Sequence, residues 1–338
     1  MIDVAIIDSG INMLDTELCS AVTKGFNIKY VHGKIVYTEN YNDLNGHGTY
    51  CAMIIKRLCP DVKLTIIKIL DENKMGQSEC LLEALNYLYY NPVNIINMSL
   101  AIQDVHSKHK LCSVCNKLRK RGTILVSSLA NHREYSYPAI FDDVIGVKGS
   151  LCLKEREYIY HSNRAIQCQS SSIPILVERM DGTYTFFGGN SKAAANVSGI
   201  IADMIQKYGF EKDYEKNFEN YACRKIYDEQ KFNIDSLINK KVFISDGLRS
   251  IDDFEKLGCI MQSVLEIPKE KRTLLFECSV LNPKLNIDKN NLGKLVKEIE
   301  REWNIKFRKD KINLFSIIDI VAIYRLIKRS VCDENNKK

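Results

Sequence analysis

The chain has 338 residues, which is long enough for one large domain and a second, smaller one. Hydrophobic residues make up 45% of it and charged residues 27%, the composition of an ordinary soluble globular protein. The formal net charge of +6 is too small to indicate a nucleic-acid-binding surface, and no apolar run is long enough to cross a bilayer. We therefore expect neither a nucleic-acid partner nor a membrane partner.

The N-terminus and the cysteines bear on the cellular compartment. An apolar strand pattern follows Met1 at once, so we expect no signal peptide. Several of the twelve cysteines lie in apolar surroundings, among them Cys51, Cys80, Cys223 and Cys259. In a chain without an export signal, such residues are expected to be reduced and to pack in the core. Cys112 and Cys115 have the spacing of metal ligands, but no second pair matches them, so we expect no zinc. The pattern predicts a cytoplasmic protein without a cofactor.

Alternating strand and helix patterns follow in chain order. Strands are predicted at 3–8, 62–70, 94–100, 123–128 and 144–148, helices at 47–58, 79–90 and 105–121, and a β-hairpin at 26–37. This alternation predicts an α/β fold with a doubly wound parallel sheet and helices on both faces. In such sheets active sites lie at the carboxyl ends of the strands, where Asp8, Ser99 and Asn131 fall.

Three polar residues stand at positions that suit catalysis. Asp8 ends the first strand, His47 lies between glycines just before a helix, and Ser191 follows a glycine turn at the start of another helix. A helix N-terminus favours negative charge, which suits a nucleophile whose attack forms an oxyanion. Each residue alone has a commoner explanation as a cap or a structural side chain. Their order, acid then histidine then serine, is one of the known orders of the serine-protease triad.

The sequences around these residues resemble those of a known family. DSG at residues 8–10, HGT at 47–49 and GNSKA at 189–193 resemble the three motifs of subtilisin-like (S8) serine proteases. The resemblance covers roughly residues 1–210. It implies a subtilisin-like sheet and hydrolysis of peptide bonds.

The resemblance also implies a role for each residue. Ser191 would attack the peptide carbonyl, His47 would take its proton and pass it to the leaving amine, and Asp8 would orient the imidazole. Asn131 follows a strand and resembles the family's oxyanion-hole asparagine, which shares the oxyanion with the backbone N–H of the serine. No metal ligand is implied.

The resemblance further implies a cleft in which an extended substrate pairs with two backbone edges. The implied substrate-binding residues are Ser99, Leu100, Ala101, Lys74, Met75, Gly76, His132 and Ser136. Ala101 stands where the family usually carries glycine, and its methyl group would narrow the first pocket. Because neither His132 nor Ser136 is acidic, we expect the residue before the cleaved bond to be neutral or acidic.

The chain departs from the family pattern around the serine. Asn190 replaces the usual threonine, Lys192 replaces an apolar residue, and Ala195 replaces a proline. Two interpretations of Lys192 stay open: its charge could lower the basicity of the histidine and leave a silent homologue, or its side chain could point to solvent. The stretch from His47 to Leu70 lacks the insertion that forms a calcium site in many relatives, so we expect no structural calcium.

The C-terminal part has a different character. We predict a protease domain over residues 1–245 and a small all-α domain over 246–338, with helices at 251–267, 290–303 and 315–327. Residues 292–307 resemble helix II onward of acyl or peptidyl carrier proteins.

That resemblance places the phosphopantetheine site at Asp288-Lys289, where there is no serine, so the arm could not attach. A generic helical bundle is the alternative. A carrier-like domain without its arm would recruit a peptide substrate or a biosynthetic partner.

Together these features predict an intracellular serine endopeptidase of narrow specificity whose partner is a peptide or precursor-protein substrate. A suitable task is the removal of a leader from a ribosomally made, lanthipeptide-like precursor. Two alternatives stay open, namely a catalytically silent homologue that binds peptides and a general turnover protease.

Overall fold

The computed structural model describes residues 1–102, 107–209, 214–224, 237–239, 241–242, 244, 252–285, 287, 289–307 and 312–335. Contacts divide the chain into two compact units: residues 1–173 with 188–226, and residues 174–187 with 227–338. The boundary predicted between residues 245 and 246 lies outside the described residues.

Within the described residues, the first unit contains a nine-stranded sheet in the order β3-β2-β4-β1-β5-β6-β7-β9-β8. The strands are β1 (Asp3–Asp8), β2 (Val22–Val31), β3 (Lys34–Thr38), β4 (Lys63–Lys68), β5 (Ile95–Met98), β6 (Ile124–Ser128), β7 (Ile145–Ser150), β8 (Tyr158–Tyr160) and β9 (Cys168–Ser171). All pairs are parallel except β2–β3 and β8–β9 at the two edges. The predicted α/β fold is therefore confirmed, as is the hairpin, whose turn lies between β2 and β3.

Helices flank this sheet. They are α1 (Thr16–Cys19), α2 (His47–Leu58), α3 (Ser78–Tyr90), α4 (Lys108–Lys120), α5 (Gly189–Tyr208) and α6 (Tyr214–Asn220). The apolar stripes of α3 and α4, which include Leu81, Leu85 and Leu111, pack in one buried cluster with Ile7 and Ile67 of the sheet. β1 is buried along both faces, as a central parallel strand between helix layers should be.

Helices α2 and α5 pack closely, and Gly199 of α5 makes the approach possible. A Cβ atom at this position would lie 2.9 Å from Cβ of Leu58 on α2. α2 carries His47 in its first turn, and α5 carries Ser191 in its first turn. The contact at Gly199 therefore fixes the two helices that carry these residues. Among the described residues, no helix is both long enough and apolar enough to cross a membrane.

The second unit combines a hairpin with helices. Its elements are β10 (Ile175–Glu178), β11 (Tyr184–Phe187), α7 (Asp252–Val264), α8 (Leu274–Glu277), α9 (Lys289–Trp303) and α10 (Ile320–Asn335). α7, α9 and α10 overlap the three predicted helices, although α10 begins at Ile320 and not at residue 315, whereas α8 and the hairpin were not predicted. Leu176 N–H donates to the Ile312 carbonyl at 2.8 Å, and Gly293 of α9 leaves room for the Tyr184 ring. Of the predicted carrier site, Asp288 and the side chain of Lys289 lie outside the described residues.

The cysteines, all of which lie in the described residues, form no disulfide with one another. Cys51 and Cys80 are buried as predicted, but Cys223 is only half-buried and Cys259 is exposed. The prediction that Cys259 packs in the core is therefore wrong, because α7 presents it to solvent.

Lys192 is the most unusual residue of the core. Its side chain is only 1% exposed, and Nζ donates a hydrogen bond of 3.2 Å to the Ser171 carbonyl, which also accepts from Asn196 Nδ2. Burial, and after it the charge of Arg57, lowers the pKa of the Lys192 amine to about 7. The interpretation that Lys192 points to solvent is therefore wrong, and above neutral pH its amine is largely uncharged.

We predict that Lys192→Met makes stability less dependent on pH. In the unfolded chain the amine has its ordinary pKa of 10.5, so between pH 7 and 10.5 the unfolded state binds a proton that the folded state lacks. The free energy of unfolding of the wild type should rise with pH across this window, by at most about 1.4 kcal/mol per unit. Urea unfolding measured from pH 7 to 10 checks this. The free energy of unfolding of the variant should exceed that of the wild type by the largest amount near pH 7.

The exposed Lys207 of the same helix provides the matched control, Lys207→Met. A Lys192→Met variant with the same pH trend as the wild type would contradict the prediction.

Candidate active site

A buried acid–histidine pair joins β1 to α2. His47 Nδ1 lies 2.8 Å from Asp8 Oδ1, and the Asp8 side chain is fully buried. The same carboxylate oxygen accepts the Ser9 N–H at 2.7 Å. Because Nδ1 faces the carboxylate, Nε2 is the ring nitrogen that can exchange a proton with another group.

Glycine lets the two elements approach each other. A Cβ atom at Gly48, in the first turn of α2, would lie 2.3 Å from the Gly10 carbonyl oxygen. The Gly48 N–H donates to Ser9 Oγ at 3.0 Å and so ties the helix start to the strand end. Any larger residue at position 48 would push His47 away from Asp8.

Asp43 supports the start of α2 and was not predicted from the sequence. Its carboxylate accepts the Thr49 N–H at 2.9 Å, the Thr49 hydroxyl at 2.6 Å and the Gly46 N–H at 2.8 Å. Burial alone would raise the pKa of Asp43, but these hydrogen bonds, with one from Asn45, lower it overall. The only signal in the sequence is an acidic residue four positions before the histidine.

Ser191 lies in the first turn of α5, and it is linked to Ser99 in both directions. Ser191 Oγ donates to the Ser99 carbonyl at 3.2 Å, and Ser99 Oγ donates to the Ser191 carbonyl at 3.1 Å. Behind them, Asn97 Nδ2 donates to Ser99 Oγ and Ser198 Oγ donates to Asn97 Oδ1. This buried chain of hydrogen bonds fixes α5 on the end of β5. Neither Asn97 nor Ser198 was predicted from the sequence.

Asn131 lies beyond β6, beside the glycine turn that precedes Ser191. Gly189 has φ +74°, and a Cβ atom there would lie 3.6 Å from Asn131 Oδ1. The left-handed backbone favours glycine. The side-chain amide of Asn131 is thus next to the turn that carries the serine.

A cleft of about 380 Å³ opens in front of these residues. Of the residues predicted for the site, it is lined by His47, Ser191, Asn131, Ser99, Leu100, Ala101, Lys74, Met75 and Gly76. Asp8 lies behind His47. Among the described residues that line the cleft, Lys74 is the only lysine, arginine or acidic residue.

Two predicted pocket residues lie outside this lining. His132 is exposed, with φ +58°. Ser136 is buried, and its hydroxyl accepts the Ala130 N–H at 2.9 Å. The polar atom of Ser136 therefore holds the loop after β6 and does not face the cleft.

One group of side chains has the spacing of a metal site. Within the described part of the chain, the potential ligand atoms of Asp8, His47 and Cys51 lie within 4.8 Å of one another. Burial, and then the charge of Asp8, raises the pKa of the Cys51 thiol well above its ordinary value. A protonated thiol is a poor metal ligand, so this group fits an acid–histidine pair with a packing thiol better than a metal site.

Comparisons with known proteins agree with this geometry. The model of the subtilase family (peptidase S8) matches residues 2–226. The major intracellular serine protease of Bacillus subtilis is 29% identical over 237 residues, which cover 65% of this chain and 72% of that protein.

Two solved structures share the fold at 18% sequence identity. A cold-adapted subtilisin-like serine proteinase has a TM-score of 0.55 and covers 68% of this chain and 85% of its own. The epidermin leader peptide processing serine protease EpiP of Staphylococcus aureus has a TM-score of 0.51 and covers 64% and 68%. Since the family model spans more than half of the chain, this protein belongs to the subtilase family of serine endopeptidases.

Proposed function

We propose that the chain cleaves peptide bonds with Ser191 as the nucleophile, His47 as the general base and Asp8 as the residue that orients the imidazole. The observation that carries the proposal is the 2.8 Å contact between His47 Nδ1 and Asp8 Oδ1. It supports a tautomer with the proton on Nδ1 and the basic lone pair on Nε2, which would accept the serine proton. His47 and Ser191 line the same cleft, where a substrate carbonyl could reach the serine.

Substrate binding would redirect the serine hydroxyl. In the structure this hydroxyl donates to the Ser99 carbonyl. An extended peptide that pairs with residues 99–101 would offer its own N–H to that carbonyl. The Ser191 proton would then turn to His47, so binding and activation of the nucleophile would be coupled.

The oxyanion formed by the attack would be stabilised by the Ser191 N–H and the Asn131 amide. Ser191 lies in the first turn of α5, where free N–H groups and the helix dipole favour negative charge. Asn131 stands beside the same turn. His47 would then protonate the leaving amine, and water would release the acyl group by the same steps in reverse.

For the biological role, we propose narrow proteolysis inside the cell, in the cytoplasm, such as removal of a leader peptide from a ribosomally made precursor. Three observations support this: one relative is named an intracellular protease, a structural neighbour is titled a leader peptide processing protease, and the twelve cysteines, all described, form no disulfide with one another. The second unit would recruit the peptide or a biosynthetic partner. Its support is the resemblance of residues 292–307 to carrier proteins.

We predict that Ser191→Ala abolishes labelling by a fluorophosphonate probe and lowers the turnover rate by about 10⁶, the loss known for the subtilisin serine. Asn131→Ala should lower the turnover rate by about 10²–10³ with little change in KM, because it removes an oxyanion donor. Probe labelling is measured by gel fluorescence, and the turnover rate and KM are measured with a fluorogenic peptide. Ser20→Ala, at an exposed serine, is the control. A wild type that the probe does not label would support a silent homologue, and labelling that persists in Ser191→Ala would contradict Ser191 as the nucleophile.

We predict that cleavage occurs in one or a few precursor sequences, after neutral or acidic residues, and that substrates carry an acidic residue where the peptide passes Lys74. Lys74→Glu should then reverse the charge preference by about tenfold or more in kcat/KM, because opposite charges attract in a partly desolvated cleft. A mass-spectrometric cleavage map of a peptide library measures this, with Lys34→Glu on β3 as the control. Cleavage mainly after basic residues, or general degradation of casein, would contradict the prediction.

A further inference from the structure

Asn190, immediately before the serine, uses both ends of its side-chain amide. The Gly149 N–H donates to Asn190 Oδ1 at 2.8 Å, and Asn190 Nδ2 donates to the Leu129 carbonyl at 2.8 Å. The orientation of the amide follows from its partners, since a backbone N–H can only donate and a carbonyl can only accept. The side chain therefore bridges the end of β6 and the end of β7.

A backbone contact extends this attachment to a third strand. The Gly189 N–H donates to the Ser172 carbonyl, just beyond β9, at 3.2 Å. β6, β7 and β9 are neighbours in the sheet, and Leu129 itself donates to the Val147 carbonyl of β7. The turn before Ser191 is thus fastened to the carboxyl ends of three successive parallel strands.

The bridge connects the two donors assigned to the oxyanion. Ser191 follows Asn190 directly, and Asn131 lies two residues beyond Leu129, whose carbonyl the Asn190 amide holds. We propose that Asn190 is a positioning residue that fixes the Ser191 N–H and the Asn131 amide relative to each other, so that both donate to one oxyanion. This inference rests on the proposed function.

The side-chain amide of Asn190 can make two contacts that the threonine usual in the family could not make together. An amide has a donor and an acceptor about 2 Å apart, so it can span two backbone partners on different strands. A threonine hydroxyl is shorter and offers one atom for both tasks. An aspartate keeps the acceptor for Gly149 but places an oxygen against the Leu129 carbonyl, where two acceptors repel.

The experiment compares Asn190→Ala, Asn190→Asp and Asn190→Thr in the full chain. Asn94 supplies the matched control, because its amide also accepts a backbone N–H, from Asp3 at 2.9 Å, but at the amino ends of β1 and β5. Each variant is assayed for kcat and KM with a fluorogenic peptide, for inhibition by a peptide boronic acid, which forms a tetrahedral adduct on the serine, and for melting temperature.

We expect kcat to fall by about tenfold to a hundredfold in Asn190→Ala and Asn190→Asp, with KM changed less than about twofold. Boronic acid affinity should fall in parallel with kcat/KM, since the adduct needs both oxyanion donors. Asn190→Thr should retain more activity than either. Asn94→Ala should lower the melting temperature while leaving kcat unchanged.

Two outcomes overturn the inference. If Asn190→Asp loses melting temperature as Asn94→Ala does but keeps kcat and boronic acid affinity, Asn190 is only structural and the proposed function stands. If the wild type is not labelled at Ser191 by a fluorophosphonate, the proposed function fails and the inference fails with it.

Discussion

The hydrogen bond between Asp8 and His47 is the interaction on which the other features of the site depend. It joins residues 39 positions apart and closes between the end of a strand and the start of a helix. A buried carboxylate is costly unless donors compensate its charge, and here the imidazole and the Ser9 N–H do so. The contact is possible only because α2 approaches β1 at Gly48. The cleft, the serine and the asparagine are all arranged around this pair.

The sequence predicts this pair well because each of its parts has a local signature. Asp8 ends an apolar run with the composition of a central parallel strand, and His47 begins a helix after a glycine with positive φ. Ser191 and its glycine turn likewise belong to one short segment. A motif of three to five consecutive residues can be recognised from the sequence because those residues also lie together in one turn of the structure.

Two other kinds of contact could not be predicted in the same way, namely those of single polar side chains in loops and those between distant segments. Asp43 caps the start of α2 through backbone donors, and the Ser136 hydroxyl accepts the Ala130 N–H, so neither leaves a periodic pattern. One of the two interpretations of Lys192 placed its side chain in solvent, but α5 is buried without a break from Lys192 to Ala202. Burial of this lysine depends on packing against α2 and β9, which no local pattern encodes. The hairpin of the second unit pairs with residues more than a hundred positions later, which has the same consequence.

That hairpin also bears on how the chain is made. Residues 174–187 lie between β9 and the serine helix in sequence, but they pack with residues 312–314 and with α9. During translation, about 130 further residues must therefore be synthesised before the partners of the segment that leads into Ser191 leave the ribosome. A nascent chain would have its acid and its histidine in place early, while the two strands just upstream of the nucleophile could pair only with each other. Truncation from the C-terminus would remove those partners too, so shortened forms should be judged on refolding yield before they are judged on turnover.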